Sequence, residues 1–294
     1  MILMGFAATR AGLIGTAETK GITRLLLYVI TPCVIVMAYQ TGYSSETAGG
    51  ILLAFLAAAV IHVMLIGGVK IIGRLFGLSS VEKCSIIYTN SGNLTIPLVM
   101  SVMGPKAVMY STAYLAVQTV LLWTHGFTMI DPAAKTSWKK SLFNINNIAV
   151  LTGITLFILE IKITGPLESA MQSAGSTIAP LAMFSIGIML ASAKPGDILK
   201  IRNFGVSLLR LMFFPLAAVL LLAGWPGDLT FGANDEVFVT VLLAASAPSA
   251  VLVSQMALIS DRDYKSASGV NVLTDLLCLL TIPFVMWCHI QITA

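Results

Sequence analysis

The chain has 294 residues, 57% of them hydrophobic and only 10% charged, with a formal net charge of +4 and a mean hydropathy of +0.92. Soluble domains carry roughly 25% charged residues, so a chain this poor in charge cannot cover a water-facing surface and must meet lipid. Apolar runs of about 20 residues exclude the alternating strands of a membrane barrel and leave helices, the other structure that satisfies its own backbone in lipid. Because the basic residues fall in short loops between apolar runs, the positive charge reads as topology, and no nucleic-acid partner is expected.

In chain order the first apolar segment is Ile2 to Thr9, about half the length of a span. A truncated helix or a start upstream of Met1 is the expectation there. Further segments run at 22–40, 48–73, 83–103, 106–129, 145–161, 167–192, 201–224, 236–259 and 266–290. Ten crossings place alternate loops on opposite sides. One set carries Arg10, Lys20, Arg24, Lys70, Arg74, Lys83, Lys135, Lys139, Lys140, Lys194, Lys200, Arg202, Arg262 and Lys265. The other carries only Lys106 and Lys162, and Arg210 lies inside the eighth segment, nearer the basic side. Basic loops stay cytoplasmic. The expectation is a multi-pass protein of the plasma (inner) membrane with both termini outside and a cytoplasmic connection at 131–144.

Pro32 and Pro180 lie 148 residues apart, and Pro97 and Pro248 lie 151 apart. Two offsets near half the chain suggest two five-helix repeats, 1–130 and 145–294. An odd number of crossings per repeat inverts the second copy, as in many secondary transporters.

The fourth segment contains Asn90-Ser91-Gly92-Asn93-Leu94-Thr95-Ile96-Pro97, a poor helix for lipid. Gly92 is flexible, Pro97 removes a backbone donor, and the asparagines are costly in hydrocarbon. The ninth contains Ser246-Ala247-Pro248-Ser249, with Gln255 further on. Paired interruptions at matching positions point to a substrate site. A mid-membrane break frees N–H groups at the start of its second half, where the helix dipole favours an anion. The freed carbonyls of the first half can hold a cation or accept from a protonated group. Asn90, Asn93, Ser246 and Ser249 supply polar contacts. No lysine or arginine lies in either break, so an anion would be held by dipoles and amides.

Asp275 and His62 are ionisable groups within apolar segments and therefore candidates for coupling to H+ or Na+. Asp275 can equally sit near the basic interface, and His62 can be a neutral histidine bonded to a neighbouring helix. Tyr114, Gln118, Gln255 and Thr274 are candidate cavity liners. The four cysteines, Cys33, Cys84, Cys278 and Cys288, are scattered and read as free thiols; no metal site and no cofactor are expected. P-loop, HExxH and GxSxG motifs are absent, so no enzyme is expected.

Asn90-Ser91-Gly92-Asn93…Pro97 resembles the fourth-helix motif of the auxin efflux carrier family in its bacterial branch, whose inverted repeats are like those of bile-acid/sodium symporters. The stretch Pro180 to Ala191 is similar to that family's seventh-helix motif, Ala247-Pro248-Ser249-Ala250 to its ninth-helix crossing, and Thr274 with Thr281-Ile282-Pro283 to its tenth helix. The resemblance implies ten helices in two inverted repeats, the fourth and ninth crossing at their prolines. It also implies a panel of helices 1, 2, 6 and 7 moving against the crossing, a small organic anion such as a mono- or dicarboxylate as substrate, and a homodimer as an oligomeric form. In the family the first helix is full length, and a small or hydroxyl residue is expected where Asp275 stands. The expected function is a secondary carrier or permease working by alternating access. The alternatives are a sodium- or proton-coupled antiporter or symporter of the same fold, and a membrane ligand sensor without flux.

Overall fold

A computed structural model describes residues 1–14, 21–22, 24–132, 143–192, 196, 200–227 and 235–293. Most of the connection at 131–144 lies outside the described residues, as do Lys20, Lys135, Lys139, Lys140 and Lys194. The described residues are helical, and their regular elements fall on the expected segments. They are α1 (Ile2–Arg10), α2 (Leu26–Ala38), α3 (Ser45–Leu75), α4a (Ser80–Ile87), α4b (Ser91–Val102), α5 (105–130), α6 (Ile145–Ile158), α7 (Pro166–Ser176 and Ile178–Ser192), α8 (Ile201–Ala223), α9a (Asp235–Ser246), α9b (Val251–Ile259) and α10 (Tyr264–Thr293). By length and hydropathy α3, α8 and α10 can each cross a membrane alone; α2, α4b and α6 are shorter apolar helices. The seventh segment differs from the continuous run expected. It divides at Thr177, whose hydroxyl donates to Ala174 O at 2.7 Å and draws the first half to a close.

Local chemistry sets the helix boundaries. Ser44 caps α3 by accepting from Thr47 N–H at 3.1 Å. Ser79 and Glu82 form a reciprocal capping box on α4a. Gly104-Pro105 and Gly165-Pro166 open α5 and α7: each glycine has a positive φ (87° and 72°), which suits it to a sharp entry, and each proline sits where its missing donor costs nothing. Wider π turns occur at Leu26–Ile30, Ser91–Thr95, Leu122–Gly126 and Leu209–Phe213. Three of these end just before Pro32, Pro97 and Pro215. A proline cannot donate to the preceding turn, which then widens.

Packing sorts the helices into two groups, which also touch each other where α2 and α6 meet α5 and where α7 meets α4b. α1 lies along α7, and α2 packs against α6 and α7. α3, α4a, α4b, α5, α8, α9a, α9b and α10 pack among themselves. Beyond the helix ends, Lys162 Nζ donates to Thr41 O, and Ile163 N–H donates to Gln40 Oε1 at 2.7 Å, so the loop after α2 is tied to the loop after α6.

Two glycines account for the fit of α1 on α7. A methyl group at Gly187 would lie 2.0 Å from Ile2 O, and one at Gly5 would lie 2.2 Å from Phe184 O. The two backbones are therefore in direct contact, the close approach that small residues permit between membrane helices.

Candidate functional site

The two broken helices meet at their breaks. Residues 88–90 and 248–250 leave the helix and pair antiparallel, with Thr89 opposite Ser249. Asn90 N–H donates to Pro248 O at 2.7 Å, and Ala250 N–H donates to Tyr88 O at 2.9 Å. Extended backbone inside a membrane protein must find partners for its remaining groups, and here the helix after each break supplies one. Gln118 of α5 accepts from Thr89 N–H (2.7 Å) and from Thr89 Oγ1 (2.8 Å), and its amide nitrogen donates to Thr89 O (2.8 Å) and Ser91 Oγ (2.9 Å). Thr274 of α10 accepts from Ser249 N–H at 3.1 Å. Each break thus has its central N–H held from the helix that follows it.

The carbonyls freed on the other side of the breaks go to Arg210 of α8. Its side chain is fully buried. Nε and Nη2 donate to Ala247 O at 3.0 and 2.9 Å, Nη1 donates to Ile86 O at 3.0 Å, and Nη2 also donates to Ala245 O. The sequence places this arginine inside the eighth segment, nearer the basic side, and leaves the freed carbonyls to a cation or a protonated group. In the structure the guanidinium of Arg210, a protonated cation carried by the chain itself, takes them. Carbonyl ends from α4a and α9a converge on one guanidinium, which no local pattern around Arg210 announces. Tyr114 and His62 lie within its electrostatic reach, and their rings meet at a tilt of 43° with centroids 4.7 Å apart.

Beside the crossing is a cavity of about 120 Å³ whose walls include Asn90, Gly92, Asn93, Gln118, Asn146, Val251, Leu252 and Gln255. Gly92, Asn93, Val251 and Leu252 belong to the first turns of α4b and α9b, where N–H groups lack partners within the helix. Among the described residues no lysine, arginine, aspartate or glutamate lines it. Asn93 and Asn146 each have an amide oxygen that is buried and unbonded. Beside Gly92 the space is open: a methyl group there would meet only Leu115, in ordinary contact at 3.6 Å. Asn146 was not singled out from the sequence. It sits near the start of α6, far from the breaks along the chain, and only folding brings it to them.

The remaining candidates separate from this cavity. Pro97 is buried at the start of the regular turns of α4b. Ser246, Pro248, Ser249, Tyr114 and Thr274 belong to the crossing and its supports and do not line the cavity. Gln118 does line it, but its amide is saturated by Thr89 and Ser91, so it acts mainly as a backbone splint. Asp275, beside Thr274, is buried with Oδ1 unbonded. His62 Nδ1 is 2.7 Å from Ala58 O of its own helix rather than bonded to a neighbouring one, and Nε2 is buried and unbonded. No group of histidine, cysteine and acidic side chains suited to a metal occurs among the described residues.

A helical bundle with apolar spans, two interrupted helices crossing at their breaks and a polar cavity against both half-helix starts defines a membrane transport protein. The family model described as membrane transport protein matches residues 1–136 and 129–286. The chain belongs to this family, whose members are auxin efflux carrier-like transporters. No curated protein matches the chain closely enough to count as a relative.

Proposed function

We infer that the chain is a secondary carrier or permease of a small organic anion, a mono- or dicarboxylate, working by alternating access. The supporting observation is the cavity itself, walled by the N-terminal turns of both α4b and α9b and by the amides of Asn90, Asn93, Asn146 and Gln255. Such a site offers N–H donors and dipoles to a carboxylate but, among the described residues, no fixed cation. Moderate affinity follows, and a carrier needs it to release on either side. The architecture proposed with it is ten spans in two inverted five-helix repeats, 1–130 and 145–294, in the plasma membrane with both termini outside. α1, α2, α6 and α7 would move against the crossing, in keeping with the two packing groups. A homodimer is part of the same proposal.

The test is uptake of radiolabelled mono- and dicarboxylates by proteoliposomes under imposed sodium and proton gradients. Asn93→Ala is expected to cut uptake by about tenfold or more, the scale of losing hydrogen bonds to a charged ligand, with the melting temperature unchanged. Undiminished uptake would remove Asn93 from the site. Ligand binding without flux would favour a sensor.

A second reading, ion coupling, is favoured by Asp275, whose buried carboxylate has an unbonded oxygen one residue from the support of the ninth break. Asp275→Asn is expected to abolish the response of uptake to an imposed proton or sodium gradient while leaving downhill exchange. An unchanged response would reduce Asp275 to a packing role, and His62→Gln serves as the parallel control.

A further inference from the structure

Two helix C-termini that converge in a low-dielectric interior create a demand for positive charge. Each brings unpaired carbonyls and the equivalent of roughly half a negative charge. Ile86 lies in the last turn of α4a, and Ala245 and Ala247 lie at the end of α9a. In transporters built on broken helices such carbonyls are where a coupling cation binds. Here four donated hydrogen bonds from Arg210 occupy them, and the side chain has no exposed surface. Among the described residues no carboxylate pairs with Arg210; Glu82, in the first turn of α4a, pairs instead with Arg202. Nor does Arg210 line the anion cavity.

We propose that Arg210 is a resident counter-cation for the crossing, covalently part of the chain, so that this carbonyl cage neither binds nor is driven by sodium. It is a positioning residue. It orients the two half-helix ends and leaves their partner halves to the anion. α8 is well placed for this, because it grips α4a twice. Arg202, at the start of α8, pairs with Glu82 and donates to Gly77 O at 2.8 Å, while Arg210, two turns on, takes Ile86 O near the other end of α4a. A free ion would have to enter and leave a cage that is shut by a side chain rooted in its own wall.

The proposal rests on the carrier function for its transport arm but not for its binding arm. In the binding arm, the purified protein is melted in sodium chloride, potassium chloride and choline chloride. Wild type is expected to show no sodium-specific stabilisation beyond any that Asp275→Asn removes. Arg210→Ala is expected to melt lower and to be restored by millimolar methylguanidinium, and in part by sodium, but not by choline. Arg210→Lys should recover only part of the loss, since one ammonium cannot reach the same carbonyls in plane. In the transport arm, Arg210→Lys is expected to lower the maximal uptake of the radiolabelled carboxylates while leaving half-saturation unchanged. Saturable sodium stabilisation that persists in Asp275→Asn overturns the proposal. So does an Arg210→Ala protein that melts like wild type, or one that methylguanidinium leaves unrestored. If Arg210→Ala does not fold, the wild-type salt comparison and Arg210→Lys still decide. If no carboxylate is transported at all, the carrier function fails while the melting result stands.

Discussion

Gln118→Leu is expected to abolish uptake and to destabilise the protein by about 2–6 kcal/mol, the cost of leaving two buried backbone groups without partners. Thr89 is 1% exposed, and both its N–H and its C=O bond to the Gln118 amide. Leucine matches the bulk of glutamine but offers neither donor nor acceptor. Glutamate at the same place keeps an acceptor for Thr89 N–H but sets an oxygen against Thr89 O, so it should fall between wild type and leucine. Melting of the purified proteins in detergent, followed by uptake on those that survive, checks the order. A leucine variant as stable as wild type would show that the splint is dispensable and that the pairing of the breaks holds by itself.

Gly187→Leu is expected to separate α1 from α7 and to abolish uptake. The obstruction is backbone: beyond Ile2 O, a Cβ at Gly187 would lie 2.8 Å from Phe6 N and 2.9 Å from Ile2 C. No rotamer change relieves such contacts, so even alanine must push the helices apart, and overpacking of this kind costs about 1–3 kcal/mol. Gly5→Leu meets Phe184 O and C from the other side and should behave alike. The measurement is a cysteine cross-link placed between α1 and α7. It should form readily in the parent and slowly in either leucine variant. Equal cross-linking would mean that the contact is not maintained in the membrane.

Much of this arrangement could be read from the sequence because its causes are local. Proline, glycine and asparagine interrupt a helix wherever they stand, so Asn90–Pro97 and Ser246–Ser249 could be located without any tertiary information. That the two interruptions meet was an inference from their spacing, and the Thr89–Ser249 pairing bears it out. Arg210 could not be read this way. Its meaning depends on three carbonyls that lie 35, 37 and 124 residues away, and carbonyls are invisible in a sequence because every residue has one. A lone arginine in an apolar run then shows only which end of its segment it lies nearer. Gln118 is a similar case: an amide that lines a cavity and an amide that splints a backbone have the same letter. Asn146 lacked a signal because it sits at an ordinary helix start. The division of the seventh segment at Thr177 was hidden because hydroxyl side chains bond to the preceding turn with little trace in hydropathy.

The pairing at the crossing also limits how the molecule can move. A strand register changes only in whole residues, and a shift by one turns every side chain to the opposite face. If α4 and α9 slid past each other, Asn90 N–H and Ala250 N–H would lose Pro248 O and Tyr88 O together, with no intermediate position in which either is bonded. The crossing therefore behaves as a pivot pin: it tolerates rotation but has only one seat. In the carrier proposed above, motion that exposes the cavity first to one side and then to the other would have to come from whatever leans on that pin. The helices proposed to move are those outside it, with α1 carried along on α7 by two glycines.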